Sequence, residues 1–571
     1  MPVVEVDPDE LRRLTGRDRE DAALQADLFA LGMEFEGTTP DGAFQLEFAP
    51  DRLDRLSVEG VARSLRYQYG EDRGVYTPAQ NDPEWAIEVA ESVPPERPFV
   101  TGAVIRGLEM TAGKLESLIQ LQEKLHATMG RKRAKGAIGV HDLAMLKGAA
   151  GTADTTVPNV VTYRGVEPDG PSFVPLASNR AMTPREVLTE HETGGRYGSL
   201  VADLERYPAI EDGLSLFSFP PIINGTRTEV DTGSRDLLVE MTGTDQWTID
   251  RMLNILCYAL DARGGRIERV EISYPDRTVE RPAFDTAEKE IDHERIESVL
   301  GISLAPDEVV DLIERSGLSP SVEGSAEHPR YRTQIPPYRV DVRHPMDVVD
   351  DIGRAYGFDE LEPAYPDVST VGGRHRRSRL EDATRESLVG LGFEDLLNFH
   401  LISELENFDR LSIAPDAAGY GARPPVRITE PYSEDYTMIR TWALPSVLMV
   451  LERNTHRAYP QQLAEIGLAA YREESAPSGA NEHRTVAAVI ARNGASYEAI
   501  KSSLAALCRS FDVDLQTPAT DHPSFIPGRV GAVEIDDVPV GVVGELHPAV
   551  VVAHDIEVPV AGFEFRLEAL D

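Results

Sequence analysis

Hydrophobic and polar positions run in short registers along this chain, and the register changes often. VVEVD at 3–7 has the alternation of a strand, and Asp7-Pro8 opens a helix, because proline suits a first helical turn whose N–H groups lack partners. A second helix is predicted over 21–31. FQLEFAPDRLDRLSVEGVARSLRYQYG reads strand, turn, helix, with Ser57 as N-cap and Val58, Val61, Ala62 and Leu65 as the apolar face. Residues 78–98 are proline-rich and polar (TPAQNDPEW, VPPERP) and read as a linker. FVTGAVIRGLEM, LFSFPPIINGTRTEV, RDLLVEMTGTD and RVEISYP read as strands. GKLESLIQLQEKLHATMGRKRAKG reads as a helix followed by a basic loop. WTIDRMLNILCYALDARGG is an amphipathic helix ended by Gly264 and Gly265. IDHERIESVLGI and APDEVVDLIERSGL are two short helices, followed by a wing-like strand pair (YRTQIPPYRVDV) and the helix DVVDDIGRAYG, a helix-turn-helix type of module. After the Gly- and Arg-rich connector 367–379 comes a last unit, helical at its start and rich in Val-bearing strands at its end. The expected fold class is α+β multidomain, divided at 1–75, 76–275, 276–363 and 364–571.

Composition agrees with several domains: 571 residues with 41% hydrophobic and 27% charged content supply ordinary globular cores. The 57 Lys+Arg stand against 97 Asp+Glu, a net charge of −40, which excludes a generally basic nucleic-acid coat or a polybasic membrane binder but permits a local basic groove. Lysine is scarce: Lys114, Lys124, Lys132, Lys135, Lys147, Lys289 and Lys501 are the whole set. An acidic, lysine-poor surface suits a molar-salt cytoplasm, where self-repulsion is screened within about 3 Å. Cys257 and Cys508 lie in apolar helical runs and read as buried, inert thiols rather than a disulfide framework. The N-terminus has no signal-peptide pattern, and no apolar run approaches membrane-spanning length, so the expected place of action is the cytoplasm, with no membrane partner.

Tyr338-Arg339-Val340-Asp341 is followed by Asp347, Asp350 and Asp351. The last three fall at i, i+3 and i+4 on one helix face, so four carboxylates converging there would suit a hard, oxygen-liking cation such as Mg²⁺. The plainer reading is a solvated acidic first turn favoured by the helix dipole. On this face the sequence also permits a metal-dependent phosphoesterase.

PPYRVDVRHPMDVVDDIGRAYGFDEL resembles the magnesium-linked module of phenylalanyl-tRNA synthetase beta subunits, with Asp in both final positions where that family usually has at least one Glu. EFAPDRLDRLSVEGVARSLR resembles the family's N-terminal segment, and LFSFPPIIN with LLVEMTGTD its editing domain. DLLNFHLIS, ITEPYSEDYTMIRTWALPSVL, LAEIGLA and VGVVGELHPAVV resemble its synthetase-like terminal domain. Several segments in the family's order carry the resemblance, and the absence of an appended C-terminal anticodon-binding domain and of an inserted oligonucleotide-binding domain resembles the shorter archaeal form. The resemblance implies a class II synthetase-like antiparallel-sheet domain without catalytic motifs. Its only F-R-x-E, Phe565 to Glu568, reads as a closing strand with an accidental match, and Arg440 reads as a folding or interface residue rather than an ATP ligand. Phenylalanine and ATP would bind a separate alpha subunit, two alpha with two beta chains, acting on tRNA(Phe), with Mg²⁺ held by Asp341, Asp347, Asp350 and Asp351 near the interface. Hydrolytic editing of Tyr-tRNA(Phe) would fall to this chain, with Ser218, Asn224, Glu240 and Thr242 as candidates. Glu240 and Thr242 alternate on a strand and so share a face. His141-Asp142 reads as a surface turn. The basic runs 130–136 and Arg374, Arg376, Arg377 and Arg379 are candidate tRNA contacts. A rival reading is a free-standing RNA-binding or assembly protein built from the same parts.

Overall fold

The computed structural model describes residues 3–48, 51–149, 157–369 and 371–571; Ala49 and Pro50 of the expected strand-turn, and Thr370 of the connector, lie outside them. The chain is α+β throughout and forms two compact units, Met1–Tyr365 and Pro366–Asp571.

In the first unit, Val3–Val6, Phe44–Phe48 and Met33–Thr38 make an antiparallel three-stranded sheet with Phe44–Phe48 central. Asp7 caps the helix Pro8–Thr15 by accepting from the N–H groups of Asp9 and Glu10, and Ser57 caps Val58–Gln68 through Gly60 N–H. Gly60 has a second role. A Cβ there would overlap the carbonyl of Asp54, so glycine lets this helix lie directly on the turn Leu53–Arg55.

The middle of the unit is a ten-stranded mixed sheet. Its order is Ile223–Asn224, Leu216–Phe219, Tyr207–Glu211, Asn159–Val166, Gln80–Val89, Arg266–Ser273, Phe99–Arg106, Leu237–Gly243 and Gly136–Asp142, with Thr278–Arg281 beside Arg266–Ser273. Residues 80–89, read as linker, are thus a central strand paired in parallel with two neighbours. Trp85, Ala86, Ile87 and Val89 are buried and outweigh the polar start, and Pro83 sits where the register slips, a place that tolerates a residue without an N–H. Leu237, Val239 and Met241 pack with the helices Ala112–Ala127 and Gln246–Asp261; Leu238 joins a second apolar layer with Val100, Val104 and Phe217.

Helices His293–Leu300, Pro306–Arg315 and Pro345–Tyr356 surround a small sheet in which Pro329–Ile335 lies between Ala287–Asp292 and Ser319–Gly324. In the second unit a seven-stranded sheet runs Glu394–Leu396, Gln461–Arg472, Ala480–Ala491, Val560–Arg566, Val538–Leu546, Phe525–Ile535 and Leu515–Gln516, antiparallel except for its first pair. Leu444–Arg453 covers one face; Arg376–Gly390 and Tyr497–Ser510 cover the other. Cys257 and Cys508 are buried, and burial raises both thiols, Cys508 to about 11, as expected of inert core groups. Among the described residues no helix is long and apolar enough to cross a membrane.

Candidate functional site

Two constellations carry the sequence-predicted residues. The first lies on the ten-stranded sheet. In the strand Leu237–Gly243, Glu240 is flanked by Gly102 on one side and Gly139 on the other. Both neighbours are glycine for a physical reason. At Gly139 an added Cβ would overlap the Glu240 carboxylate and crowd His141 Nε2, so the missing side chain is the space the carboxylate fills. Ser218 donates to Glu240 Oε1 at 2.8 Å and lies 3.2 Å from Asn224 Oδ1. Ser218, Asn224 and Glu240 are therefore brought together.

Thr242 shares the face but is engaged elsewhere. Arg97 Nε donates to its hydroxyl at 2.8 Å and Nη2 to its carbonyl at 2.7 Å. His141 departs from the sequence reading: it is fully buried, not in a surface turn. It follows Val140 in a strand that pairs with Leu237–Gly243, its Nδ1 is 2.9 Å from Thr228 Oγ1, and its ring meets Phe217 edge-on at 4.7 Å. Its Nε2 lies 3.6 Å from Glu240 Oε1. Glu240 Oε2 and His141 Nε2 are both buried without a hydrogen-bond partner. Adjacent orphaned polar atoms inside a protein mark a place that a ligand's polar group can satisfy. Glu240 itself is only 1% exposed.

Sequence reasoning missed Arg97, hidden in the segment read as linker. Besides Thr242 it reaches the carbonyls of Arg133 and Ala134, at 3.2 and 3.4 Å. It thus ties the basic loop to the strand that carries Glu240. Burial lowers its guanidinium to about 10. In the loop, Arg131, Lys132 and Arg133 have φ of 47°, 53° and 69°, three successive side-chain-bearing residues in the left-handed region. That costs energy at each. Arg133 is anchored to the carbonyl of Ile222 at 2.9 Å and stacks 4.4 Å from the Tyr197 ring, while Arg131 and Lys132 are exposed. The second basic run is different: Arg374 pairs with Asp382, Arg376 with Asp571 at 2.7 Å and Arg377 with Glu381 at 3.9 Å.

The second constellation holds the four aspartates of the expected metal site. The four aspartates do not converge on an empty centre; Arg339 takes that place. Its Nη2 lies 2.7 Å from Asp341 Oδ2 and 2.7 Å from Asp351 Oδ2, and its Nε is 2.9 Å from Asp341 Oδ1. Asp347 accepts the N–H groups of Arg343 and His344 at 2.7 and 2.6 Å and so caps its own helix. Asp350 pairs with Arg354 at 2.8 Å on the surface. Among the described residues no group of three or more His, Cys, Asp and Glu is arranged to hold a metal ion. A magnesium ion needs open carboxylate oxygens in octahedral array. Here a guanidinium already binds two of the four carboxylates and a helix end a third, so these residues do not fit that ion.

In the second unit Arg440 is fully buried and bonds Glu465 Oε1 and the Leu468 carbonyl at 2.7 and 2.8 Å, a place in the core rather than at a ligand. Phe565 and Arg566 end the closing strand.

Residues 289–358 match the tRNA synthetase B5 domain and residues 361–567 the phenylalanyl tRNA synthetase beta chain CLM domain. The modules are those of an aminoacyl-tRNA synthetase component. The phenylalanine–tRNA ligase beta subunit of Natronomonas pharaonis is 66% identical over the whole of both chains, that of Halorubrum lacusprofundi 63%, and that of Methanocaldococcus jannaschii 33%, again over the whole of both. The crystal structure of an N-terminal fragment of the Pyrococcus horikoshii phenylalanyl-tRNA synthetase beta subunit is 29% identical, with a TM-score of 0.57 over 62% of this chain and 99% of that one. The chain belongs to the phenylalanine–tRNA ligase beta-subunit family.

Proposed function

We propose that this chain works in the cytoplasm as the beta half of a phenylalanine–tRNA ligase of two alpha and two beta chains. Phenylalanine, ATP and its magnesium bind the alpha chain, and the beta chain binds tRNA(Phe) and hydrolyses Tyr-tRNA(Phe). The observation that carries the editing reading is the Glu240 carboxylate, whose Oε1 meets Ser218 and His141 and whose Oε2 is buried without a hydrogen-bond partner. Tyrosine differs from phenylalanine by one hydroxyl. A buried acceptor pays back its desolvation only when a donor arrives, so a tyrosyl hydroxyl is held and a phenylalanyl ring leaves the carboxylate unsatisfied. Among the residues of this constellation there is no Ser-His-Asp or Cys-His relay, which favours attack on the ester by an ordered water. Support for the partner comes from the second unit, where Leu397, Phe399, Leu405 and Tyr432 leave large apolar surface exposed, Leu397 at 90%. The test is deacylation of Tyr-tRNA(Phe) by the purified complex. Wild type should hydrolyse it and spare Phe-tRNA(Phe); equal rates on both would overturn the editing reading.

A further inference from the structure

The arginines beside the aspartate run do not balance. Within the first unit, a cavity of about 40 Å³ is lined by Arg52, Arg55, Arg63, Arg315, Arg354 and Asp351. Around it and behind it are four guanidiniums, with Arg52, Arg55 and Arg339 buried and Arg63 half-buried, and three carboxylates, with Asp54 and Asp351 buried and Asp341 half-buried. Four less three leaves one positive charge.

The contacts say whose charge it is. Arg52 binds Asp54 at 2.9 Å and lies 4.0 Å from Asp341. Arg63 reaches Asp54 at 3.5 Å and stacks 4.1 Å from the Tyr338 ring, whose face favours a cation. Arg339 is held by two aspartates. Of the lining arginines nearer solvent, Arg354 has Asp350 at 2.8 Å, and Arg315 donates to the Gln68 carbonyl at 3.0 Å with Asp311 at 4.0 Å. Among the described residues, Arg55 alone of these four guanidiniums has no carboxylate within ion-pair distance. Its hydrogen bonds go to neutral atoms, Nε to Ser64 Oγ at 3.0 Å and Nη1 to the Leu31 carbonyl at 2.7 Å, and it is 4% exposed. Burial, and then the neighbouring charge of Arg52, press against its protonation; the charge of Asp54 favours it, and Arg339 and Arg354 oppose it again, leaving it lowered on balance. A buried unpaired charge is among the costliest features a fold can carry.

We propose that this cavity is a halide site: one chloride ion sits against Arg55 and neutralises the surplus charge, joining the N-terminal unit to the helix Pro345–Tyr356. The size fits. A water needs about 10–15 Å³ of such volume, so this cavity takes a monatomic anion and its adjustment room but not a phosphate with its hydration. The charge fits as well. One surplus positive charge calls for a monovalent anion, and the Asp351 carboxylate in the wall repels a multivalent one. The face whose carboxylates suggest a cation from sequence is, in three dimensions, dominated by guanidiniums.

Two measurements on the full chain in complex with its partner test this. Crystals soaked in potassium bromide should give an anomalous peak in the cavity within hydrogen-bonding reach of the Arg55 guanidinium; a featureless cavity or ordinary water there overturns the proposal. Chloride titrated into potassium glutamate at constant ionic strength should raise the melting temperature saturably by a few degrees, as a ligand of the folded state does. Sulfate at matched ionic strength should not substitute. Equal melting in chloride and glutamate, or equal effects of chloride and sulfate, would sink the idea. Arg55→Met removes the charge with little loss of volume and should abolish the chloride response. Should that variant fail to fold, the bromide experiment on the native chain still decides.

Discussion

Ser218 donates its hydroxyl to Glu240 across 2.8 Å, although their strands stand six places apart in the sheet. Such a contact requires the sheet to curl until distant strands face one another over a shared layer, the one holding Phe217 and Leu238. The curl turns two ordinary polar strand residues into a buried pair with one acceptor oxygen to spare.

Glu240→Gln keeps the shape but replaces the spare acceptor by a donor. Deacylation of Tyr-tRNA(Phe) should slow by roughly a hundredfold, on the scale of losing one well-placed hydrogen-bonding group in a catalytic site. Phenylalanylation should be unchanged. Single-turnover deacylation checks it, and an unaltered rate removes Glu240 from the site.

Gly139→Ala tests the same carboxylate from the neighbouring strand. The new Cβ overlaps Glu240 and crowds His141, so the carboxylate must swing away. Editing should fall as in the Glu240 variant, with a stability loss of about 1–3 kcal/mol from overpacking. Denaturant melts and deacylation assays separate the two effects.

Asp351→Asn leaves Arg339 buried with half its counter-charge gone. The expected cost is about 3–5 kcal/mol, the scale for breaking a buried ion pair. Removing magnesium with a chelator should leave the melting of the native beta chain unchanged. A chelator-induced fall in melting temperature would restore the metal reading.

Burial raises the Glu564 carboxyl from 4.5 to about 7, although the N–H groups of Ala443 and Leu444 and the Thr485 hydroxyl favour its anion. Its folded value lies above its unfolded one, so the unfolded chain loses this proton first as pH rises. The stability it contributes is full below about pH 4.5, falls through the window to about pH 7, and is level above; the drop is of order 3 kcal/mol. Glu564→Gln should melt with a flatter pH dependence than the native chain between these limits. Parallel slopes would show that the carboxyl does not titrate there.

Arg131→Ala and Lys132→Ala should weaken tRNA(Phe) binding and flatten its salt dependence. Each lost phosphate contact lowers the slope of log K against log salt by about 0.7–0.9. Filter binding across a potassium chloride series reads this directly, and an unchanged slope takes the left-handed turn out of the interface.

Local pattern alone determined much of this protein. Helix starts at Pro8 and Val58, with their caps at Asp7 and Ser57, follow from groups a few residues apart, and so does the shared face of Glu240 and Thr242. The acidic, lysine-poor composition and the buried thiols are likewise properties of the chain read in one dimension. Several independent segments in a fixed order also made the family legible. Tertiary structure decided the rest, because a buried group's partner is chosen by what packs beside it and not by its sequence neighbours. The strand Gln80–Val89 exists because two strands far along the chain flank it; its prolines alone spoke for a linker. Ser218 meets Glu240 only through the curl of the sheet. His141, polar and next to an aspartate, is drawn inside because Thr228 and Phe217 close around it. Asp341 and Asp351 share a motif whose spacing suits a cation, and the cation that reaches them is Arg339. Periodicity sets which way a side chain points from its own element; the charge it finds there belongs to the fold.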